Sequence, residues 1–233
     1  LPLFSLLFAL TLCSCMKAEE PQNKLTAEES AAGWKLLFDG KDASQSWRGF
    51  KKETLPGGWV VEEGALVRKG GGGDIVTKDE YDSFEFAVDW KISEGGNSGI
   101  IFKVQEDKPV NAPWMTGPEA QILDNVKGHD PQRAGWLYQL YPASVDTTKP
   151  AGEWNHFVLK CEKTPAGTYH CEHWMNGTKY VDYEIGSDDW KERVAKSKFK
   201  GYEDFGKATA GRICLQDHGN VVAFRNIKIR GGK

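Results

Sequence analysis

The residues best suited to proton transfer lie on one predicted strand, the seven residues that end at Asp124. Side chains of a regular strand alternate between two faces, so Glu119 and Gln121 share one face while Ala120 and Ile122 point to the core. Asp124 joins the face of Glu119 only if a bulge shifts the alternation. Carboxyl groups placed in this way could act as general acid and base. The alternative is an exposed sheet face whose polar groups are solvated.

The spacing of this strand resembles the Glu-x-Asp-x-x-Glu strand of sandwich-fold glycoside hydrolases, in which carboxylates of one strand act on the glycosidic bond. In this chain the middle acid is replaced by Gln121. An amide transfers no protons, so the sequence does not predict a plain copy of the retaining two-carboxylate mechanism.

A second cluster of polar residues is Gln216-Asp217-His218-Gly219, which ends one predicted strand just before another. It places a carboxylate, an imidazole and an amide together on a loop at the sheet rim. The loop either lines a site or is an ordinary rim loop, and the sequence favours neither.

Arg225 has the same parity as Ile227 and Ile229, so it points to their side of the sheet unless the strand is bulged. A charge on that side requires a carboxylate partner. Glu119 or Asp217 could supply it, as a structural pair or as part of a substrate clamp.

The elements that position these residues are short strands. Phe84–Ile92 alternates strictly, with large apolar residues at the even positions and mostly charged residues at the odd ones. Asn176-Gly177 is typical of a two-residue hairpin turn. The one convincing helical stretch, residues 188–198, is rich in charge and is predicted to lie on the surface. The pattern predicts an all-β fold, a two-sheet antiparallel jelly-roll sandwich with a short surface helix.

Composition excludes several classes of function. The net charge is −3, and no basic stripe interleaves with aromatic residues, so nucleic acid is not an expected partner. The histidines show no metal-ligand spacing. Gly70–Gly73 lacks the Lys-Ser/Thr and the helix of a phosphate loop, which indicates a turn. No cofactor is expected, with a divalent metal kept as an alternative, and the oligomeric state is unknown.

The N-terminal region predicts export. Residues 3–12 are an apolar run of signal-peptide length, followed by Leu12-Cys13-Ser14-Cys15, which resembles a bacterial lipobox. We therefore predict a signal peptide at 1–14, lipidation of Cys15, a tether at 15–32 and a β-sandwich domain at 33–233. The expected location is the cell envelope, periplasmic or anchored to the outer membrane, with membrane contact through the lipid alone.

Two cysteines flank a predicted turn. Cys161 and Cys171 lie on either side of Thr164-Pro165-Ala166-Gly167, so their strands should face each other across a hairpin. An exported protein can hold a disulfide there. The alternative is two reduced, buried cysteines.

Six separated blocks of the chain together resemble the 3-keto-disaccharide hydrolase family. They include Asn97-Ser98-Gly99-Ile100, the strand ending at Asp124, and His173-Trp174-Met175-Asn176-Gly177. The resemblance runs from about Gly33 to the C-terminus. It implies a concanavalin-like sandwich, export by a bacterium, and cleavage of the glycosidic bond of an already oxidised sugar.

The chemistry implied by this resemblance assigns hypothetical roles. A ketone at C3 acidifies the hydrogen on C2, so a base at C2 and an acid at the glycosidic oxygen allow elimination, and water addition completes hydrolysis. Glu119 or Asp124 is the hypothetical base; the other carboxylate or His218 is the acid, with Asp217 beside them. Substrate-orienting roles fall to three polar residues, Asn97, Gln121 and Arg225. Trp136 and Tyr138 either stack on the sugar ring or fill the core, and the sequence favours neither.

Two other functions fit the same face. One is a lipid-anchored glycan-binding module without turnover, and the other is a conventional glycoside hydrolase. An oligosaccharide or glycoside is the expected partner in every case.

Overall fold

Thirteen strands form two antiparallel sheets in residues 22–231, the part of the chain that the computed structural model describes. The strands are β1 Lys35–Leu36, β2 Trp47–Gly49, β3 Trp59–Glu62, β4 Ala65–Arg68, β5 Ile75–Thr77, β6 Phe84–Ile92, β7 Asn97–Val104, β8 Glu119–Leu123, β9 Asn155–Lys163, β10 Tyr169–Met175, β11 Thr178–Ile185, β12 Arg212–Leu215 and β13 Val222–Gly231. The predicted signal peptide and Cys15 lie outside the described residues.

The order of the strands gives a larger and a smaller sheet. The eight-stranded sheet runs β11-β10-β9-β6-β13-β4-β3, with β1 also paired to β13, and the five-stranded sheet runs β2-β5-β12-β7-β8. The predicted two-sheet antiparallel sandwich is therefore confirmed. The sequence pattern did not indicate β2, a strand of three residues.

Helices are few and short. The predicted helical stretch forms α2, Asp188–Lys196, and continues into a 3-10 helix at Lys198–Gly201. Another 3-10 helix spans Pro113–Met115, and α1 spans Ala27–Ala31. No helix within residues 22–231 is both long and apolar enough to cross a membrane.

The core lies between the sheets and is built from alternating side chains. The even positions of β6, from Phe84 to Ile92, are all buried in it, as the pattern predicts. In the smaller sheet Ile100 and Leu215 point into this core, whereas Ile101 and Cys214 belong to a second apolar cluster on the outer face. The outer face of the five-stranded sheet therefore has an apolar part, and its polar part is described below.

A bulge in β13 changes the direction of Arg225. The pairing of β13 with β6 shifts between Arg225 and Lys228, and Asn226 adopts a positive φ of 52°. Ile227 is buried in the core, but Arg225 is half-buried on the opposite face, with its guanidinium 4.2 Å from the ring centre of Trp154.

The predicted pairing of Arg225 with Glu119 or Asp217 is wrong for this reason. Its Nε lies 3.4 Å from Oδ2 of Asp89 on β6. Arg225 thus belongs to the eight-stranded sheet, and a substrate-orienting role beside Glu119 is excluded by its position.

Cys161 and Cys171 face each other, as the hairpin predicts. They are register partners on β9 and β10, both fully buried, with their Sγ atoms 2.9 Å apart as free thiols. Burial raises the pKa of the Cys171 thiol well above its ordinary value. The hairpin thus brings the two sulfur atoms together, and the disulfide between them stays a prediction.

The bulge at Asn226 gives a test of how the fold is held. Asn226 Nδ2 donates to Asp89 Oδ2 (2.7 Å), and its Oδ1 accepts from the backbone N–H of Asn23 (2.7 Å). Asn226→Ala loses these bonds and places an alanine at positive φ, so we expect a loss of about 3 kcal/mol in the free energy of unfolding. Asn226→Gly loses only the bonds and should cost about 1 to 2 kcal/mol. Urea denaturation measures both, and equal losses would show that backbone strain plays no part.

Candidate active site

Glu119 lies at the start of β8 on the outer face of the five-stranded sheet. Its neighbours Ala120 and Ile122 are buried in the core, which confirms the predicted alternation of the strand. The side chain of Glu119 is only 5% exposed. It lies directly over Gly99 of β7, where a Cβ would come within 2.3 Å of Glu119 Oε1. The carboxyl group therefore needs a glycine on the neighbouring strand.

Polar side chains lie in a row across the sheet beside this carboxyl group. Gln216 follows β12 and donates its backbone N–H to Gly99 O (3.0 Å), while Asp74 precedes β5, the strand paired with β12. Gln121 is the register partner of Gly99. With its amide nitrogen turned toward β7, Gln121 donates to Ser98 O (3.2 Å) and Glu119 Oε1 (3.3 Å).

Two oxygens on this face have no donor. Gln216 Oε1 and Asn97 Oδ1 are buried, and no hydrogen bond reaches either of them from residues 22–231. Asn97 has the same parity as Gly99 on β7. Buried acceptors of this kind normally have a partner. We call Asp74, Asn97, Glu119, Gln121 and Gln216 together the Glu119 face.

Burial separates the pKa values of the two carboxyl groups on this face. It raises the pKa of Glu119 to about 8. The positive charge of Lys198 lowers this pKa, while the negative charges of Asp74 and Asp130 raise it further. Burial also raises the pKa of Asp74 to about 6, although the backbone N–H of Asp217 donates to Asp74 Oδ1 (2.8 Å). Near pH 7 the first group is protonated and the second is a carboxylate.

Asp124 is not brought to the Glu119 face. Its Oδ2 accepts from the N–H of Gly95 (2.8 Å) and its Oδ1 from that of Val126 (3.0 Å), so both oxygens fix the loop that follows β8. Burial opposes ionisation, but these backbone bonds outweigh it and hold the pKa of Asp124 below its ordinary value. The geometry is that of a turn-forming aspartate.

Asp217 and His218 lie on the rim loop with different environments. Asp217 Oδ1 lies 2.6 Å from Arg68 Nε, and its Oδ2 accepts from the N–H of Gly73 (3.1 Å). Its carboxylate therefore joins the two sheets at their edge. His218 is exposed and has no polar contact within the described residues.

The segment that contains Trp136 and Tyr138 runs beside β8. Tyr138 donates its N–H to Glu119 O (2.9 Å), and Gln121 donates its N–H to Trp136 O (3.0 Å). The Tyr138 hydroxyl donates to Asp130 Oδ2 (3.1 Å). Burial and the charge of Asp130 raise the pKa of Tyr138 to about 12. Both rings are half-buried against the core beside the Glu119 face.

Sequence reasoning missed three residues of this region. Asp74 could have been found, because it has the parity of Val76 in a short strand that follows the glycine run. Lys198, whose charge acts on Glu119, and Trp114, which packs against the outer apolar cluster, come from two separate 3-10 helices. Their spacing in the chain contains no signal for a shared site.

A three-residue group on the other sheet could be taken for a metal site. The ligand atoms of His170, Glu172 and Asp182 lie within 4.8 Å of one another. However, Lys179 Nζ donates to Glu172 Oε1 (2.7 Å) and Asp182 Oδ2 (2.8 Å), so a lysine already balances their charge. These strands, β10 and β11, belong to the eight-stranded sheet, away from the Glu119 face.

The raised pKa of Glu119 predicts a pH-dependent stability. An unfolded glutamate titrates near 4.5 and the folded one near 8. Between these values the folded state holds a proton that the unfolded state lacks, so stability falls as pH rises from about 4.5 to 8. Glu119→Gln cannot ionise. We expect its Tm to match that of the wild type at pH 5 and to exceed it at pH 8.5. Each kcal/mol of stability that the wild type loses between these pH values should add about 2 to 4 °C to the Tm difference.

Differential scanning fluorimetry across this pH range makes the measurement. Glu162→Gln, at an exposed position of β9, is the matched control and should follow the wild type at every pH. A constant Tm difference between Glu119→Gln and wild type would contradict the raised pKa.

Comparison with known proteins identifies the family. The family model described as a 3-keto-alpha-glucoside-1,2-lyase-like domain matches residues 33–230. A 3-keto-disaccharide hydrolase of Bacteroides thetaiotaomicron is 32% identical, over 95% of this chain and 86% of that protein. Two crystal structures from Parabacteroides distasonis, both named as candidate glycosyl hydrolases, align with this fold.

The first of these structures is 38% identical with a TM-score of 0.82, and the alignment covers 91% of this chain and all of that one. The second is 28% identical with a TM-score of 0.60, over 80% of this chain and 99% of the other. The chain belongs to the 3-keto-alpha-glucoside-1,2-lyase-like family.

Proposed function

We propose that this protein cleaves the glycosidic bond of 3-keto-glycosides at the Glu119 face, by elimination followed by addition of water. The observation that carries the proposal is the pair of carboxyl groups with raised and separated pKa values, Glu119 and Asp74, on one polar sheet face. The 3-keto-disaccharide hydrolase relative supports the choice of substrate class.

The substrate requires two groups of opposite protonation state. A base takes the C2 hydrogen that the C3 ketone has acidified, and an acid protonates the C1 oxygen as it leaves. In a 3-keto-α-glucoside this hydrogen and this oxygen are axial and lie on opposite faces of the ring. The base and the acid therefore have to approach the sugar from two sides.

The two carboxyl groups fit these roles by their protonation. Asp74 is ionised near pH 7 and is the proposed base, while Glu119 is protonated and is the proposed acid. Strands β12 and β7 lie between β5 and β8, so the backbones of Asp74 and Glu119 are three strand spacings apart, roughly 14 Å. Side chains reaching inward from both ends can flank one sugar ring.

This assignment changes the hypothesis drawn from the sequence. Glu119 is kept, but Asp124 and Asp217 are replaced by Asp74, because their carboxylates already bind loop backbone and Arg68. His218, exposed on the rim loop, is proposed to contact the leaving sugar.

The remaining residues of the face are proposed to bind hydroxyl groups. Gln216 Oε1 and Asn97 Oδ1 lack protein donors, and sugar hydroxyls would supply them. Gln121 holds Glu119 in place through its amide. Trp136 and Tyr138 are proposed to stack on the apolar face of a sugar ring.

The deciding experiment compares an oxidised with an unoxidised substrate. The purified protein is incubated in deuterated water with a 3-keto-α-glucoside and with its parent glucoside, and aglycone release and deuterium at C2 are followed by NMR. We expect release from the 3-keto compound only, with deuterium at C2. Glu119→Gln should lower the rate at least about 100-fold, since proton transfer contributes 10²–10⁴-fold.

Other outcomes identify the competing functions. Release from the parent glucoside alone would indicate a conventional glycosidase. Binding of either sugar without turnover would indicate a glycan-binding module. Full activity of Glu119→Gln would remove Glu119 from the mechanism.

The pKa values also predict the pH dependence of kcat/KM. Activity should rise as pH passes about 6, where Asp74 loses its proton, and fall above about 8, where Glu119 loses the proton it donates. Initial rates from pH 4.5 to 10 measure the profile. Activity that rises steadily through pH 9 would exclude Glu119 as the acid.

A further inference from the structure

Lys198 holds an ammonium group beside the Glu119 face. Its Nζ lies 4.3 Å from the ring centre of Tyr138 and 4.9 Å from that of Trp114. Its charge acts on Glu119 and on Asp130, and burial lowers its pKa against that attraction. Within residues 22–231, no carboxylate lies at ion-pair distance from Lys198, unlike Lys196 of the same segment, which pairs with Glu192.

The backbone around Lys198 is fixed on both sides. The Ser197 hydroxyl donates to Val194 O (2.9 Å) and accepts from the N–H of Phe199 (3.1 Å). Phe199 is buried, and its ring stacks on that of Phe205 with centres 4.0 Å apart. The side chain of Lys198 therefore extends from an anchored turn toward the aromatic rings.

This environment leaves the N–H groups of Lys198 available. Aromatic rings attract the cation through their quadrupole but accept no strong hydrogen bond. An ammonium group has three donors and no acceptor. The lysine is therefore suited to donate hydrogen bonds to an oxygen atom of a ligand on the Glu119 face, above all to an oxygen that gains negative charge.

We propose that Lys198 selects the oxidised sugar by binding the C3 oxygen as the ketone becomes an enolate; this inference rests on the proposed function. Asp74 removes the C2 proton, the C–H electron pair forms the C2=C3 bond, and the carbonyl pair moves to the oxygen that Lys198 holds. The electron pair on this oxygen then re-forms the C3 carbonyl, and the pair of the C2=C3 bond forms C1=C2. The C1–O bond breaks as Glu119 protonates the leaving oxygen. Water then adds across C1=C2: Glu119 takes a proton from the water as its oxygen bonds to C1, and Asp74 returns a proton to C2, so both groups are restored and the net reaction is hydrolysis.

The same geometry discriminates against the unoxidised parent. A C3 hydroxyl develops no negative charge, and its hydrogen finds no acceptor on an ammonium group. The contact strengthens only along the path from ketone to enolate. Its effect should therefore appear in kcat rather than in KM.

The experiment isolates the enolate step from bond cleavage. The probe is 1,5-anhydro-3-keto-D-glucitol, which has a C2 hydrogen and a C3 ketone but no exocyclic leaving group at C1. Wild-type protein in deuterated water should exchange this hydrogen, as measured by NMR. We expect Lys198→Met to slow exchange about 100-fold or more, as the loss of an oxyanion donor does, and Lys198→Arg to retain part of the rate.

Lys200→Met is the matched control: it lies in the same 3-10 helix and is exposed like Lys198, and it should exchange like the wild type. Far-UV circular dichroism and Tm show whether each variant is folded. A folded Lys198→Met that exchanges at the wild-type rate would overturn the inference and leave the proposed function intact. If the wild type neither exchanges the probe nor cleaves a 3-keto-glycoside, the proposed function itself fails.

A covalent alternative is tested separately. Cyanoborohydride is added to the protein with the same probe, and the intact mass is measured. An unchanged mass is expected for an ammonium role. A stable adduct on Lys198 would overturn that role, since it would require an iminium formed from the C3 ketone and the neutral amine.

Discussion

The site depends on one close approach, the carboxyl group of Glu119 lying over the Cα of Gly99. A side chain at position 99 would displace it, because a Cβ would come within 2.3 Å of Oε1. The same approach removes the carboxyl group from water, and burial is the largest cause of its raised pKa. Position and protonation state of Glu119 thus have a common origin in the pairing of β7 with β8.

The raised pKa also requires that no arginine forms an ion pair with Glu119; the charge of Lys198 lowers this pKa, but burial outweighs it. An arginine paired with Glu119 would stabilise the carboxylate and lower its pKa. The bulge at Asn226 turns Arg225 to the opposite face of the other sheet, where it contacts Asp89 and Trp154. Arg68 is held by Asp217 at the rim. These two contacts therefore hold both arginines away from Glu119, which favours its neutral form.

Strand periodicity could be predicted from the sequence, and it was correct for β6 and for the alternation of β8. The orientation of Arg225 could not be predicted, because an inserted residue at positive φ reverses the alternation of faces along the strand. Asn226 gives only a weak signal in the sequence for such a bulge. Asp124 shows a related limit, since a carboxylate that caps a turn and one that faces a site look alike in sequence. Lys198 and Trp114 lie in two 3-10 helices outside the sheets, so only the folded chain brings them toward Glu119.

The amides of the face explain why its spacing departs from a two-carboxylate strand. A further carboxylate at position 121 or 216 would add negative charge beside Glu119 and raise its pKa further, beyond the range of a useful acid. Gln121 and Gln216 supply donors and acceptors without charge. Asp74 carries the second carboxyl group, and it lies at the far end of the row. In the proposed mechanism, a row of this kind keeps one acidic proton at neutral pH and places the base at the other end, with the sugar ring between them.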